Sequence, residues 1–260
     1  MAEIELLLAA KEAGVSVSYP IADRTGTVLQ SFAAVEGERH AVLFSYAPGH
    51  AASILDEAQL RMLGREMARF HNVSAAVRLS DRRWTFDPES TLLKPLQKVT
   101  PYFDGLPEEY AWWQQAVAKT TQHLAQIDAS GFSTGYCHFD LLPKNFHFDG
   151  DVLTLFDFDF FGYGWLVNDL MTFRVQLDLD AHFGRLTHEA ACQAFNHLLT
   201  AYREIRPLSD EEVATIPWLS LGFWYFYMGF HTTHDVFLPL VQPSQLKART
   251  ALIRKLLPHL

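Results

Sequence analysis

The reading of this chain turns on Tyr136-Cys-His-Phe-Asp-Leu-Leu-Pro-Lys-Asn-Phe-His-Phe148, followed closely by Leu153-Thr-Leu-Phe-Asp-Phe-Asp-Phe-Phe161. His138, Asp140 and Asn145 form the pattern H-x-D-x-x-x-x-N. Asp157 and Asp159 close a short apolar run at an interval that suits a hairpin. Phosphoryl transfer needs such a set: one carboxylate to orient a hydroxyl nucleophile, and hard oxygens from an amide and a second carboxylate for the Mg2+ that bridges nucleotide phosphates. Asp140 fits the first role, and Asn145 with Asp157 the second.

Outward from this stretch, the N-terminal side begins with an amphipathic helix over residues 3–13, with Ile4, Leu7 and Leu8 on one face and Gly14 where a helix often stops. Two strands follow, 27–35 and 39–46, joined by the turn-forming Glu36-Gly37-Glu38. Pro48-Gly49 ends the pair. From residue 55 to 71 the pattern is helical, with Leu60, Leu63, Met67 and Phe70 in register. A loop spans 80–88, and helical patterning resumes over 106–127 around Trp112-Trp113.

On the C-terminal side, Asn168-Asp-Leu starts a helix with a capping residue ahead of its apolar face. Further helices are expected over 187–203, 209–231 and 245–257. No internal repeat or low-complexity tract interrupts them. The C-terminal two-thirds is therefore mainly α, with one small β element presenting the acidic groups.

Composition narrows the function classes. With 260 residues, 49% of them hydrophobic, the chain can bury a substantial core. A net charge of −9 and no long basic run argue against nucleic acid as a partner. The longest apolar stretch, 218–230, is too short to span a bilayer, so no membrane partner is expected. Cys137 and Cys192 resemble neither a metal-ligand spacing nor a disulfide framework. Met1-Ala-Glu-Ile-Glu lacks the basic flank of an export signal. These features point to the cytoplasm.

The central stretch resembles the aminoglycoside phosphotransferase and choline kinase-like family, small-molecule relatives of the protein kinases. Phe44-Ser-Tyr-Ala-Pro-Gly49 looks like that family's hinge between lobes, Leu63-Gly-Arg-Glu-Met-Ala-Arg-Phe-His71 like its first C-lobe helix, and Asn168-Asp-Leu170 like the dipeptide after its metal-binding strand. The likeness covers nearly the whole chain. It implies an α+β, protein-kinase-like two-lobe fold with a truncated N-terminal β lobe (1–47) and a mainly helical C-terminal lobe (48–260). It implies ATP and Mg2+ as cofactors, Asp140 as catalytic base, and Asn145 and Asp157 as metal ligands. Phe44 would sit at the back of the adenine pocket, with the Ser45 carbonyl and Ala47 amide on the adenine edge. The acceptor would be a small-molecule hydroxyl on an amino alcohol, amino sugar, homoserine-like compound or methylthioribose-like sugar.

Two elements of the family pattern, a Gly-rich strand-turn-strand and a strand Lys, have no counterpart before Glu3. Glu3 or Glu5 would then be the partner of an absent cation, and the small sheet would keep an unpaired edge open to a homodimer. A non-catalytic, pseudokinase-like binding module is the alternative reading of the same pocket.

Several residues carry a sharp and a bland reading. His138 reads as a loop-organising residue that hydrogen-bonds backbone near the Asp157 strand rather than as a base. Lys144 reads as a solvated lysine beside a turn, with contact to a transferring phosphate as the sharper role. Asp159 stays open between a second metal or substrate contact and a turn cap, and Asp169 reads as a brace for the loop. Trp224, Tyr227 and His231 are candidate walls for an amine acceptor, although aromatics encircling one helix are more often core. His231, His234 and Asp235 have zinc-like spacing without a third well-placed ligand, which suggests a polar helix end.

Overall fold

A computed structural model describes residues 1–81 and 83–260. In chain order it contains α1 (Ala2–Glu12), β1 (Pro20–Ile21), β2 (Leu29–Ala34), β3 (Gly37–Phe44), α2 (Glu57–Ser74), β4 (Trp84–Phe86), α3 (Lys94–Val99) and α4 (Pro107–Ala125). There follow β5 (Thr134–Cys137), β6 (Phe146–Asp149), β7 (Val152–Leu155), β8 (Gly162–Trp165), α5 (Val167–His182), α6 (His188–Arg203), α7 (Asp210–Ala214), α8 (Ile216–His231) and α9 (Pro243–Leu256). A single π turn, Glu89–Leu93, leads into α3. The chain forms two units: Met1–Trp84 with Thr134–Asp169 and Cys192–Pro207, and Thr85–Ser133 with Leu170–Ala191 and Leu208–Leu260. Among the described residues no helix is long and apolar enough to cross a membrane.

In the first unit, α1 buries Ile4, Leu6, Leu7 and Ala10 and carries Glu3 and Glu5 in its first turn, where acids complement the helix dipole. It ends in a Schellman motif. Gly14 takes φ +80, its N–H donates to the Lys11 carbonyl, and the Val15 N–H donates to the Ala10 carbonyl. The chain then runs beside β7, with Ser18 N–H on the Leu155 carbonyl and Leu155 N–H on the Ser16 carbonyl. Helix α2 starts with an Asp56/Gln59 capping box and buries Leu60, Leu63, Met67 and Phe70, as their spacing predicts. Gly64 of α2 meets the backbone of α6, since a Cβ there would lie 2.3 Å from the Leu198 carbonyl oxygen.

Strands β2 and β3 pair from Leu29↔Val42 to Ala34↔Gly37. The turn is therefore Val35-Glu36, with Gly37 (φ +121) already in the strand, one residue earlier than the sequence suggests. The β6–β7 hairpin pairs Phe146↔Leu155 to Asp149↔Val152 around Gly150, which takes φ +59. Strand β5 pairs with β8, and Gly135 allows β5 to lie against Ala75 just past α2, at 2.9 Å from a Cβ built there.

The second unit is helical. Trp113 of α4 is fully buried, donates from Nε1 to Thr250 Oγ1 at 2.7 Å, and meets the Tyr225 ring edge-on at 4.4 Å. Gly222 and Gly229, two turns apart on α8, touch Thr91 and Pro95, so the 89–99 segment lies along one face of α8. The expected single helix over 209–231 is two helices. A Ser209/Glu212 capping box begins α7, and the break falls at Thr215 because Pro217 lacks the N–H that a continuous helix would use.

Candidate active site

The H-x-D-x-x-x-x-N loop joins β5 to β6, and backbone hydrogen bonds hold it within itself and to the residue that follows β7. The Leu142 N–H donates to the Asp140 carbonyl, the Asn145 N–H to the Leu142 carbonyl and the Phe156 N–H to the Asn145 carbonyl. That last bond, next to the Phe146↔Leu155 pair, sets Asn145 across from the segment that carries Asp157. Asp140 and Asn145 are buried, at 1% and 2% exposure. Asn145 Nδ2 donates to the Asp140 carbonyl at 2.7 Å and to Asp140 Oδ2 at 2.8 Å. Lys144 reaches the same Oδ2 at 2.8 Å while its own side chain remains largely exposed. A buried carboxylate is thus held in one orientation by an amide and an ammonium.

Asp169, at the start of α5, braces the loop from behind. Its carboxylate accepts the N–H groups of His138 at 2.8 Å and Phe139 at 2.7 Å, and lies 2.9 Å from His71 Nε2. Phe139 takes φ +64, an uncommon conformation for an aromatic residue, where two successive N–H groups converge on one acceptor. His71 is itself fixed by Tyr202, whose hydroxyl lies 2.8 Å from Nδ1. His138 Nε2 meets the Phe156 carbonyl at 3.0 Å, and its Nδ1 receives the Asp140 N–H at 3.3 Å. His138 is therefore a strut between the loop and the strand that leads to Asp157.

Asp157, with φ +63, and Asp159 are exposed and line a cleft of about 300 Å³ with Glu3, Leu7, Ser18, Phe44, Phe156 and Phe158. The two helix-start glutamates separate here. Glu3 faces Asp157 and Asp159, whereas Glu5 turns away to accept from the N–H and hydroxyl of Ser80. Burial, then the negative charge of Asp159 and Asp157, raises the Glu3 carboxyl above its ordinary value, with Arg83 opposing. Arg83 also donates to the Asp159 carbonyl at 2.5 Å.

Of the hinge residues, Phe44 lines the cleft. The Ser45 carbonyl accepts from the Ser18 hydroxyl at 2.5 Å, leaving one lone pair. The Ala47 carbonyl lies 3.0 Å from His147 Nδ1. Gly49 is needed where the chain crosses β6: it has φ +86, and a Cβ there would lie 2.0 Å from the Phe148 carbonyl oxygen.

Trp224, Tyr227 and His231 lie on α8 in the second unit and are half-buried. Tyr227 packs on Phe223, with ring centres 4.8 Å apart. His234 caps the following turn by accepting the Val236 N–H at 3.2 Å on Nδ1. Among the described residues no group of three or more His, Cys, Asp or Glu is placed to hold a metal ion. The pair Asn145 and Asp157 has a different character. It offers two hard oxygen donors, a set that suits a divalent cation completing its shell with phosphate oxygens and water.

Local sequence spacing does not single out His71, Tyr202 or Arg83. His71 and Tyr202 are 131 positions apart. The one available hint was a histidine on the buried face of an otherwise apolar helix stripe.

A family model described as "Phosphotransferase enzyme family" matches residues 1–208. An uncharacterized protein of Synechocystis sp. is 30% identical over 234 residues, which cover 88% of this chain and 62% of the relative. A homoserine kinase of Gluconobacter oxydans is 29% identical over 222 residues, covering 80% of this chain and 63% of the relative. An amicoumacin kinase of Bacillus subtilis is 28% identical over 176 residues, covering 65% and 50%. The chain thus spans half to about three-fifths of the length of these curated relatives. Among solved structures, amicoumacin kinase hAmiN in complex with AMP-PNP, Ca2+ and Ami superposes with a TM-score of 0.72 at 22% identity, covering 98% of this chain and 75% of the other. A microcompartment-associated aminopropanol kinase superposes with a TM-score of 0.67 at 18% identity, covering 99% and 81%. The fold is α+β and protein-kinase-like, as the sequence resemblance implies.

Proposed function

Because the chain belongs to the phosphotransferase enzyme family, we propose that it transfers the γ-phosphoryl group of ATP to a hydroxyl of a small molecule, with Asp140 orienting that hydroxyl. The observation that carries this reading is the buried Asp140 carboxylate held at 2.8 Å by both Asn145 and Lys144, on a loop that Asp169 fixes through two backbone N–H groups. A carboxylate with its rotamer set in this way can align a hydroxyl without reorganising during the reaction. Asn145 spends its amide N–H on Asp140, which leaves its amide oxygen as the remaining ligand atom. That oxygen and the Asp157 carboxylate are the groups that would hold Mg2+. The ion, when bound, supplies charge neutralisation on the phosphate oxygens.

Lys144, beside Asp140, adds positive charge where the transferred group meets the acceptor, and His138 keeps the loop in register. Asp159 shares the Asp157 cleft and is an accessory metal or substrate contact. Phe44, Ser45 and Ala47 receive the nucleobase. On this reading residues 1–47 and 48–260 are the parts on either side of the hinge. The acceptor class is an amino alcohol, amino sugar or homoserine-like compound. Cys137 and Cys192 form no disulfide among the described residues, which suits a reducing compartment, the cytoplasm.

The crowding of Glu3 with Asp157 and Asp159 favours a second reading, a non-catalytic nucleotide- or ligand-binding module. One experiment separates the two. Phosphorylation of a panel of amino alcohols, amino sugars and homoserine is measured alongside thermal shift with ATP and Mg2+. The first reading expects turnover that falls at least about 100-fold in Asp140→Asn while Mg-nucleotide binding persists. Equal turnover by the variant removes Asp140 from its role, and nucleotide binding without any turnover by the parent chain favours the second reading.

A further inference from the structure

The helical unit holds a second cleft, of about 510 Å³, whose lining includes His182, Phe183, Trp224, Arg249, Leu252 and Lys255 together with Gln245, Ala248 and Ala251. One face of α9 supplies most of it: positions 245, 248, 249, 252 and 255 recur at helical spacing. The opposite wall is aromatic, from half-buried Trp224 and from Phe183, which is 63% exposed with its ring against His182.

The charge of this lining is unusual for the chain that carries it. The protein has a net charge of −9, yet the cleft contains an arginine, a lysine and a histidine and no carboxylate. Arg249 is the central group. Its Nη1 is buried, and among the described residues it has no hydrogen-bond partner. The acids near the end of α5 are engaged elsewhere, Asp178 with Arg174 at 2.9 Å and Asp180 with Arg185 at 2.5 Å and Gln176 at 3.0 Å. Burial lowers the Arg249 pKa from its ordinary value with no carboxylate opposing it. The same burial, with the Arg249 charge beside it, pushes His231 down to about 4. A half-buried guanidinium with no carboxylate beside it among the described residues gains charge-assisted hydrogen bonds from an incoming anion through the part of the group that lines the cleft.

We propose that this cleft binds a small carboxylate carrying a flat apolar body, with Arg249 gripping the carboxylate, Lys255 adding charge at the rim, and Trp224 and Phe183 covering the flat part. This inference does not rest on the phosphotransfer reading, which concerns the Asp140 loop, and its test reads binding alone.

The probe is 2-naphthoate, titrated into the 1–260 chain by calorimetry, with 2-naphthylmethanol and 2-naphthylmethylamine as neutral and cationic controls that keep the flat ring system. Saturable binding of the carboxylate is expected, with the alcohol at least about tenfold weaker and the amine not bound, because a charged hydrogen bond of this kind is worth a factor of ten or more. Arg249→Gln, checked for folding by circular dichroism, weakens 2-naphthoate to the level of the alcohol, and Arg249→Lys recovers part of the loss. Should Arg249→Gln fail to fold, Lys255→Glu on the exposed rim is read instead, with weakened binding expected. Equal binding of acid and alcohol, no binding of the acid, or unchanged binding in the folded variant overturns the proposal.

Discussion

With the Asp169 carboxylate removed, the N–H groups of His138 and Phe139 and the His71 ring would face one another in a fully buried space. Each stranded donor costs about 1–3 kcal/mol, so Asp169→Ala should lower stability by roughly 3–5 kcal/mol in urea unfolding. A loss below about 1 kcal/mol would mean that the loop holds its shape without this brace. Glu3 gives a pH signature. Its folded carboxyl titrates above the ordinary 4.5, so the folded state holds the proton more tightly and stability declines as pH rises from 4.5 through the raised value. Glu3→Gln should melt at a higher temperature than the parent at neutral pH and at the same temperature below 4.5, and parallel melting profiles across that range would contradict the assignment. At this scale the sequence yields groups that act through local spacing: Asp140, Asn145 and Asp157 lie in one short stretch. It cannot reveal that His71 meets Tyr202, because nothing local links positions 131 apart. Glu3 and Glu5 look equivalent in sequence, but two residues along a helix turn the side chain by about 200°, so one faces the cleft and the other Ser80.

Between elements, the decisive contacts are made where side chains are missing. Gly64 lets α2 approach α6 until the Leu198 carbonyl oxygen would stand 2.3 Å from an added Cβ, and that atom is backbone, which cannot rotate away. Gly64→Ala should therefore cost about 1–3 kcal/mol or more through forced separation of the helices, despite the better helix propensity of alanine. Chemical denaturation decides it: a variant as stable as the parent would show that the helices slide without penalty. Periodicity reads the long amphipathic helices well, since α2 buries the four residues that its spacing selects. Short elements escape it. The π turn and α3, spanning 89–99, are hidden because their order comes from packing on Gly222 and Gly229 of α8 rather than from a stripe of their own. The break at Thr215 is marked in sequence by Pro217, but helix formers before it and the long apolar run after it read as one continuous helix.

For the molecule as a whole, charge and exposed surface pull in opposite directions. A net charge of −9 keeps copies apart at long range. The β2–β3 hairpin offers the opposite tendency: β2 pairs only with β3 among the described residues, and Phe32, Val35 and Leu43 are 52%, 106% and 67% exposed. A strand with one open edge and apolar side chains is a template for another strand, and the nearest supply at high concentration is a second copy of this chain. We propose a homodimer through this edge, populated as concentration rises, and light scattering after size exclusion should register it as a mass increasing toward twice that of one chain. Phe32→Glu is the discriminating variant. Phe32 stands opposite Arg39, which already pairs with Glu36, so an exposed glutamate there faces a cation it can share and the hairpin keeps its fold. The same glutamate places a charge where a second strand would have to desolvate it, so the variant should remain monomeric at concentrations where the parent associates. A parent chain that stays monomeric throughout, or a variant that associates equally well, would assign the open edge some other role than self-pairing.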